Sequence, residues 1–187
     1  GHGPNKKASQ LNLLGDDPSK PPVAPAPVAN VPIALPPASI IYQGSQAMFT
    51  GYDVSWVVSA PAGTSISNAD HPDALVTVTV VAKTDSWAGF GFNVNNQMVF
   101  SDAYVAIVME DGTVTMDDYK FGAVAGFGCD KEGVCPDTSQ GCTNDILSYT
   151  GHHTPAAPGA TTGTLTFTFT RKVNTGDAKC DFPLVYG

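Results

Sequence analysis

The sharpest pattern in the chain is "GTLTFTFTRK" at residues 163–172, where Leu165, Phe167 and Phe169 alternate with Thr164, Thr166, Thr168 and Thr170. A period of two is that of a half-buried β-strand whose apolar set faces a core. The same alternation puts Tyr52, Val54, Trp56 and Val58 on one face of "YDVSWVV", and sets Val76, Val78 and Val80 against Thr77 and Thr79 in "ALVTVTVVAK". "WAGFGF" at 87–92 is short and glycine-rich, as where backbones approach closely. "AYVAIVM" at 103–109 is almost wholly apolar, the pattern of a strand covered on both faces, and "DGTVTMDDY" reads as a turn followed by its hairpin partner. No window carries a sustained helical period. These elements predict an all-β chain, an antiparallel β-sandwich of immunoglobulin-like architecture.

Two stretches break the pattern. Residues 1–39, with "DDPSKPPVAPAPVANVPIALPPAS", are rich in Pro and Ala and lack alternation. They predict an extended, polyproline II-like tail or linker ahead of a sandwich spanning 40–187. From 121 to 158 the alternation fails again in a long irregular loop that holds three of the four cysteines, and a loop of that length needs staples or a function.

Composition narrows the setting. The 187 residues carry a formal net charge of −8 and only 14% charged side chains, which argues against nucleic acid or an anionic membrane as a partner. No apolar run is long enough for direct membrane insertion. Cys129, Cys135, Cys142 and Cys180 form no C-x-x-C pair, so two disulfides in an oxidising compartment are expected, with a bridge from Cys142 or Cys135 to Cys180 tying the loop to the sandwich edge. The chain has neither an initiator Met nor a signal-like segment and reads as a mature secreted or cell-surface protein. No N-x-[ST] sequon occurs, while O-linked or hydroxyproline-linked sugar is open to the Pro/Ala/Ser tail.

Candidate chemistry is sparse. No nucleophile elbow, zinc-protease helix or phosphate-binding loop is present, and the chain reads as non-enzymatic. Asp102, Asp117, Asp118 and Asp145 are candidate ligands for a hard cation such as Ca²⁺, without the spacing of a calcium loop. Asp118 or Asp145 is the expected partner of Arg171, the only arginine. Trp87, Asn96 and Tyr104 could form a polar-aromatic surface for glycans. Met98 reads first as a flexible core filler, and His152 and His153 as an exposed loop pair.

Taken in order, Trp87, Gly89 and Gly91 before Met98, Ser101-Asp102 after it, Asp118-Tyr119 and the closing "F-x-R…TGD…D" resemble the DOMON family of extracellular β-sandwich modules over roughly residues 45–184. The resemblance implies one of two roles. Some members bind haem b through a Met and a His and shuttle electrons; others bind sugars or act as non-catalytic interaction modules. Met98 matches the haem methionine, with His152 or His153 as its candidate partner. The family histidine sits later, beyond the "TGD…D" segment, and this chain has none there. The expectation is therefore a module without cofactor, used for assembly or recognition, with a haem b cytochrome as the alternative and a carbohydrate-binding module third. The final strands of the family sandwich also look absent, which would leave an open groove. Val31, Ile33, Leu35, Ile40 and Ile41 are the apolar side chains expected to fill it, in their own domain or in a neighbour's, the latter giving head-to-tail self-association into a fibre.

Overall fold

The computed structural model describes residues 38–61, 73–93, 100–122, 129, 133–182 and 184, without the side chains of 38–41 and 61. The alternating segments become strands: β1 (Ala38–Phe49), β2 (Tyr52–Pro61), β3 (Leu75–Ala82), β4 (Trp87–Phe92), β5 (Asp102–Val108), β6 (Val114–Phe121), β7 (Val134–Pro136), β8 (Ser148–Thr154) and β9 (Thr164–Lys172). They form a five-stranded sheet in the order β1-β2-β3-β9-β8 and a four-stranded sheet in the order β4-β5-β6-β7, antiparallel throughout.

The period of two sorts side chains as the sequence predicts. Val76, Val78 and Val80 of β3 and Leu165, Phe167 and Phe169 of β9 are buried between the sheets, against Ala88, Tyr104, Ala106 and Met116 of the smaller sheet. On the outer face, Thr77 bonds Thr170 at 2.9 Å and Thr79 bonds Thr168 at 2.8 Å, cross-strand pairs that add to the β3–β9 ladder. β5 is covered on both faces: Tyr104 and Ala106 enter the main core, while Val105 joins Tyr119 in a small second cluster on the far side.

The irregular loop expected over 121–158 is only partly irregular. It contains β7, a 3₁₀ turn at Asp137–Gln140 and β8. β8 escapes the pattern because it is a sheet edge: "SYTGHHT" has three successive exposed residues and no core alternation to betray it. All four cysteines are oxidised, as Cys129–Cys135 and Cys142–Cys180. The second bridge clamps the 3₁₀ turn to the segment after β9, which doubles back until the Leu184 amide reaches the Val173 carbonyl.

At the other edge the larger sheet overhangs the smaller. β1 is the last strand of its sheet, and Tyr42, Gly44 and Gln46 oppose Val58, Trp56 and Val54, so they share the inward face. Yet Tyr42 is 53% exposed and Phe49, which stacks on Tyr52 at 4.8 Å, is 67% exposed. Among the described residues the smaller sheet ends at β4. Gly44 is required here: a Cβ would stand 2.5 Å from Trp56 Cζ2, which lies over it. Val31, Ile33 and Leu35 lie outside the described residues. Ile40 and Ile41 belong to β1, where Ile40 pairs with Ser59.

Candidate functional site

The alternation that buries Leu165, Phe167 and Phe169 carries one step further, to Arg171, which is 0% exposed. A buried guanidinium must find partners for its five N–H groups. Nε donates to the Lys172 carbonyl at 2.9 Å, one terminal nitrogen to Asp102 Oδ2 and to the Tyr104 hydroxyl oxygen (2.7 Å), and the other to the Phe182 carbonyl at 2.8 Å. Its plane also lies over the Phe92 ring, 5.2 Å from the centroid. Tyr104 in turn stacks on Phe169 at 4.2 Å. One arginine thus ties both sheets to the segment beyond β9.

Around it stand more carboxylates than it can neutralise. Asp102, Asp118, Asp137 and Asp181 are all buried. One oxygen of Asp118 accepts from the Asp145 amide at 3.2 Å, and Asp102 Oδ2 also accepts from the Phe182 amide at 3.3 Å. Among the described residues, Asp102 Oδ1, Asp118 Oδ1 and both oxygens of Asp137 have no hydrogen-bond partner. Neither oxygen of Asp181 makes a well-formed hydrogen bond either; the Asp145 carboxyl and Thr175 hydroxyl are its polar neighbours.

Burial pushes every one of these acids up. Asp118 rises from 3.8 to about 9, burial first and then the charges of Asp102, Asp137 and Asp181. Asp137 rises to about 7 through burial and Asp181. Asp102 reaches about 6 because burial outweighs the lowering effect of Arg171. Asp181 also reaches about 6, through burial and then Asp145. A raised carboxylate favours the protonated folded state. That stabilisation is complete below the unfolded value near 3.8 and is lost as pH rises through each folded value. In a buffer free of multivalent cations, the urea midpoint is therefore expected to fall steadily from pH 5 to pH 9. A midpoint that rises or stays flat over that range would contradict this electrostatic description.

A profile of the DOMON domain matches residues 68–186, well over half of the chain. The chain belongs to the DOMON domain family. Neither the curated proteins nor the solved structures give a match. DOMON domains are an extracellular type of module, and two disulfides accord with an oxidising compartment. Among the described residues, no helix is long and apolar enough to cross a membrane.

Placed on this DOMON domain, several expected groupings separate. Arg171 pairs with Asp102 and not with Asp118 or Asp145, because Asp102 faces it directly across the sandwich. Asp117 and Asp118 are adjacent on β6 and point to opposite faces. Asp117 accepts from the Asn144 side-chain amide at 2.5 Å and stands apart from the cluster. Asp145 approaches Asp118 through its backbone amide, while its own Oδ2 accepts from the Thr143 hydroxyl at 3.1 Å. Tyr104 is wholly buried and cannot join a sugar surface with Trp87, which is 45% exposed on the outer side of β4. Asn96 and Met98 lie outside the described residues. The strand ends that flank them, Phe92 and Asp102, pair with each other at the Arg171 end. His153 pairs with Leu165, six residues along β9 from Arg171 or about 20 Å of strand, and its Nε2 lies 3.0 Å from Asp85. His152 and His153 are thus at the opposite end of β9 from Arg171.

Asp137 and Asp181 were not among the sequence candidates. Asp181 is the last residue of the closing "TGD…D" pattern and follows Cys180, two signals that could have found it. Asp137 carries no such mark; it opens the turn that follows Pro136, which β7 pairs with Tyr119 of β6, and the Cys142–Cys180 bridge closes the far side of that turn.

Proposed function

We propose that this DOMON domain is a non-enzymatic extracellular assembly module that binds a second copy of itself, the segment before β1 of one copy docking beside β4 of the next. The observation that supports this reading is the edge strand β1, whose inward-facing Tyr42 and Phe49 are more than half exposed on the side where the Tyr52 hydroxyl reaches the Gly89 carbonyl of β4, the last strand of the smaller sheet among the described residues. A strand added beside β4 would lie under them.

The sequence ahead of β1 suits that place. In an extended "VPIALPP", Val31, Ile33 and Leu35 share one face, and their N–H groups all point to one edge. Pro32 and Pro36 fall on the alternate positions, so they remove donors only from the opposite edge. Such a strand pairs on one side and blocks further addition on the other. A residue that precedes proline favours extended backbone, so the Pro36-Pro37 step in the sequence weighs against a tight reversal back onto the same copy. Docking in the neighbour is head-to-tail and propagates.

Sedimentation velocity tests this reading. The full chain is expected to form concentration-dependent oligomers. Removal of residues 1–37, and separately Tyr42→Glu with Phe49→Lys, should each return a folded monomer. A full chain that stays monomeric at high concentration, or oligomers that survive both changes, would sink it.

A further inference from the structure

The buried carboxylates are not used by the assembly reading, and Arg171 balances only one of them. One oxygen from each of Asp102, Asp118 and Asp181 lies within 4.8 Å of the others. Asp102 and Asp118 are 1% and 0% exposed, and each has one oxygen tied by the protein and the other without a partner. A bound carboxylate oxygen beside a free one, on a rigid strand, is how a ligand is oriented by its surroundings. An orphaned buried carboxylate is costly unless it is protonated or coordinates a cation.

We propose that Asp102, Asp118 and Asp181 bind one Ca²⁺ ion between the two sheets, at the Arg171 end of the sandwich. The three ligating carboxylates, one guanidinium and one divalent cation sum to zero net charge, which relieves the repulsion among Asp102, Asp118 and Asp181 that Arg171 alone leaves, with the Asp137 and Asp145 carboxyls standing beside them. The donor set is oxygen only, as a hard cation requires, and calcium–oxygen bonds of about 2.3–2.6 Å allow opposite ligands to stand roughly 5 Å apart. Ca²⁺ also accepts the irregular geometry of two strands and a returning segment, where Mg²⁺ demands a near-ideal octahedron. Asp137, also with two partnerless oxygens, adds negative potential beside the site. The other nearby cluster, Asp137 with Cys142 and Cys180, offers no thiolate because its cysteines are bridged.

The full chain is to be melted in chelator, in CaCl₂ and in MgCl₂ at matched ionic strength. Tm should rise with calcium concentration and respond much less to magnesium. Asp118→Asn should weaken calcium binding by at least about tenfold in calorimetry, while its Tm in chelator equals or exceeds that of the parent chain. Asp117→Asn, on the opposite face, should keep the full calcium response. Should Asp118→Asn fail to fold, terbium luminescence excited through Tyr104 in the unaltered chain, and quenched by added calcium, gives the same answer. A parent chain with neither a calcium-dependent Tm nor displaceable terbium luminescence, or an Asp118→Asn chain with undiminished calcium affinity, overturns the site.

Discussion

Arg171→Met is expected to destabilise the domain at pH 7 by about 3–5 kcal/mol, the range for removing one partner of a buried ion pair. The side chain is 0% exposed and reaches Asp102, Tyr104 and the Phe182 carbonyl, so the loss spans both sheets and the segment that returns beneath them. Methionine restores much of the volume but leaves Asp102 buried beside Asp118 and Asp181 with no positive charge. The defect should shrink at pH 5, because Asp102, raised to about 6 even beside Arg171 and further up once that charge is gone, then folds protonated. Adding Asp102→Asn should recover part of the loss at pH 7, since the two residues act as one unit. Lysine is not an adequate replacement: it lacks the planar fork that reaches three partners at once. Urea unfolding of the three variants at both pH values measures all of this. A loss under about 1 kcal/mol at pH 7, the size of a surface pair, would show that Arg171 does not hold the two sheets together.

The Cys142–Cys180 bridge should carry the second large effect. It spans 38 residues, against 6 for Cys129–Cys135. Chain entropy alone assigns the long bridge about 4 kcal/mol and the short one about 2 kcal/mol. The long bridge also anchors Asp181, which directly follows Cys180, so its removal should loosen the acidic cluster. The paired substitution Cys142→Ser with Cys180→Ser is therefore expected to lower the unfolding free energy about twice as much as Cys129→Ser with Cys135→Ser. It should also flatten the fall in stability between pH 5 and 9, because the carboxylates that drive it are no longer pressed together. Equal losses from the two pairs, with an unchanged pH slope, would mean that the long bridge does not organise this end of the sandwich.

The strands and their buried faces were legible in the amino-acid order because a period of two states directly which side chains enter a core. Val76, Val78 and Val80 of β3 and Leu165, Phe167 and Phe169 of β9 read the same way in sequence and in structure. The parity even reaches Arg171 and, through Tyr104 and Ala106, Asp102. The all-β class, the oxidised cysteines and the membership of the DOMON family were also available from sequence. Periodicity names a face and not a partner, however. Whether Arg171 meets Asp102, Asp118 or Asp145 depends on how two sheets stack, the bonded pair standing 69 positions apart in sequence. Asp181 joins the cluster because the segment after β9 turns back, tied by the Cys142–Cys180 bridge and the Leu184–Val173 backbone bond, and Asp137 because β7 pairs with β6 immediately before it. β8 stayed hidden because an edge strand with exposed polar residues has no core alternation to show. The exposure at β1 was likewise undecided, since Tyr42 and Phe49 occupy core-facing positions in the ladder and yet stand more than half exposed, while among the described residues the smaller sheet ends at β4. Local order chose the strands and their inward sides; which inward groups meet, and which are left uncovered, was decided by the stacking of the sheets and the return of the chain.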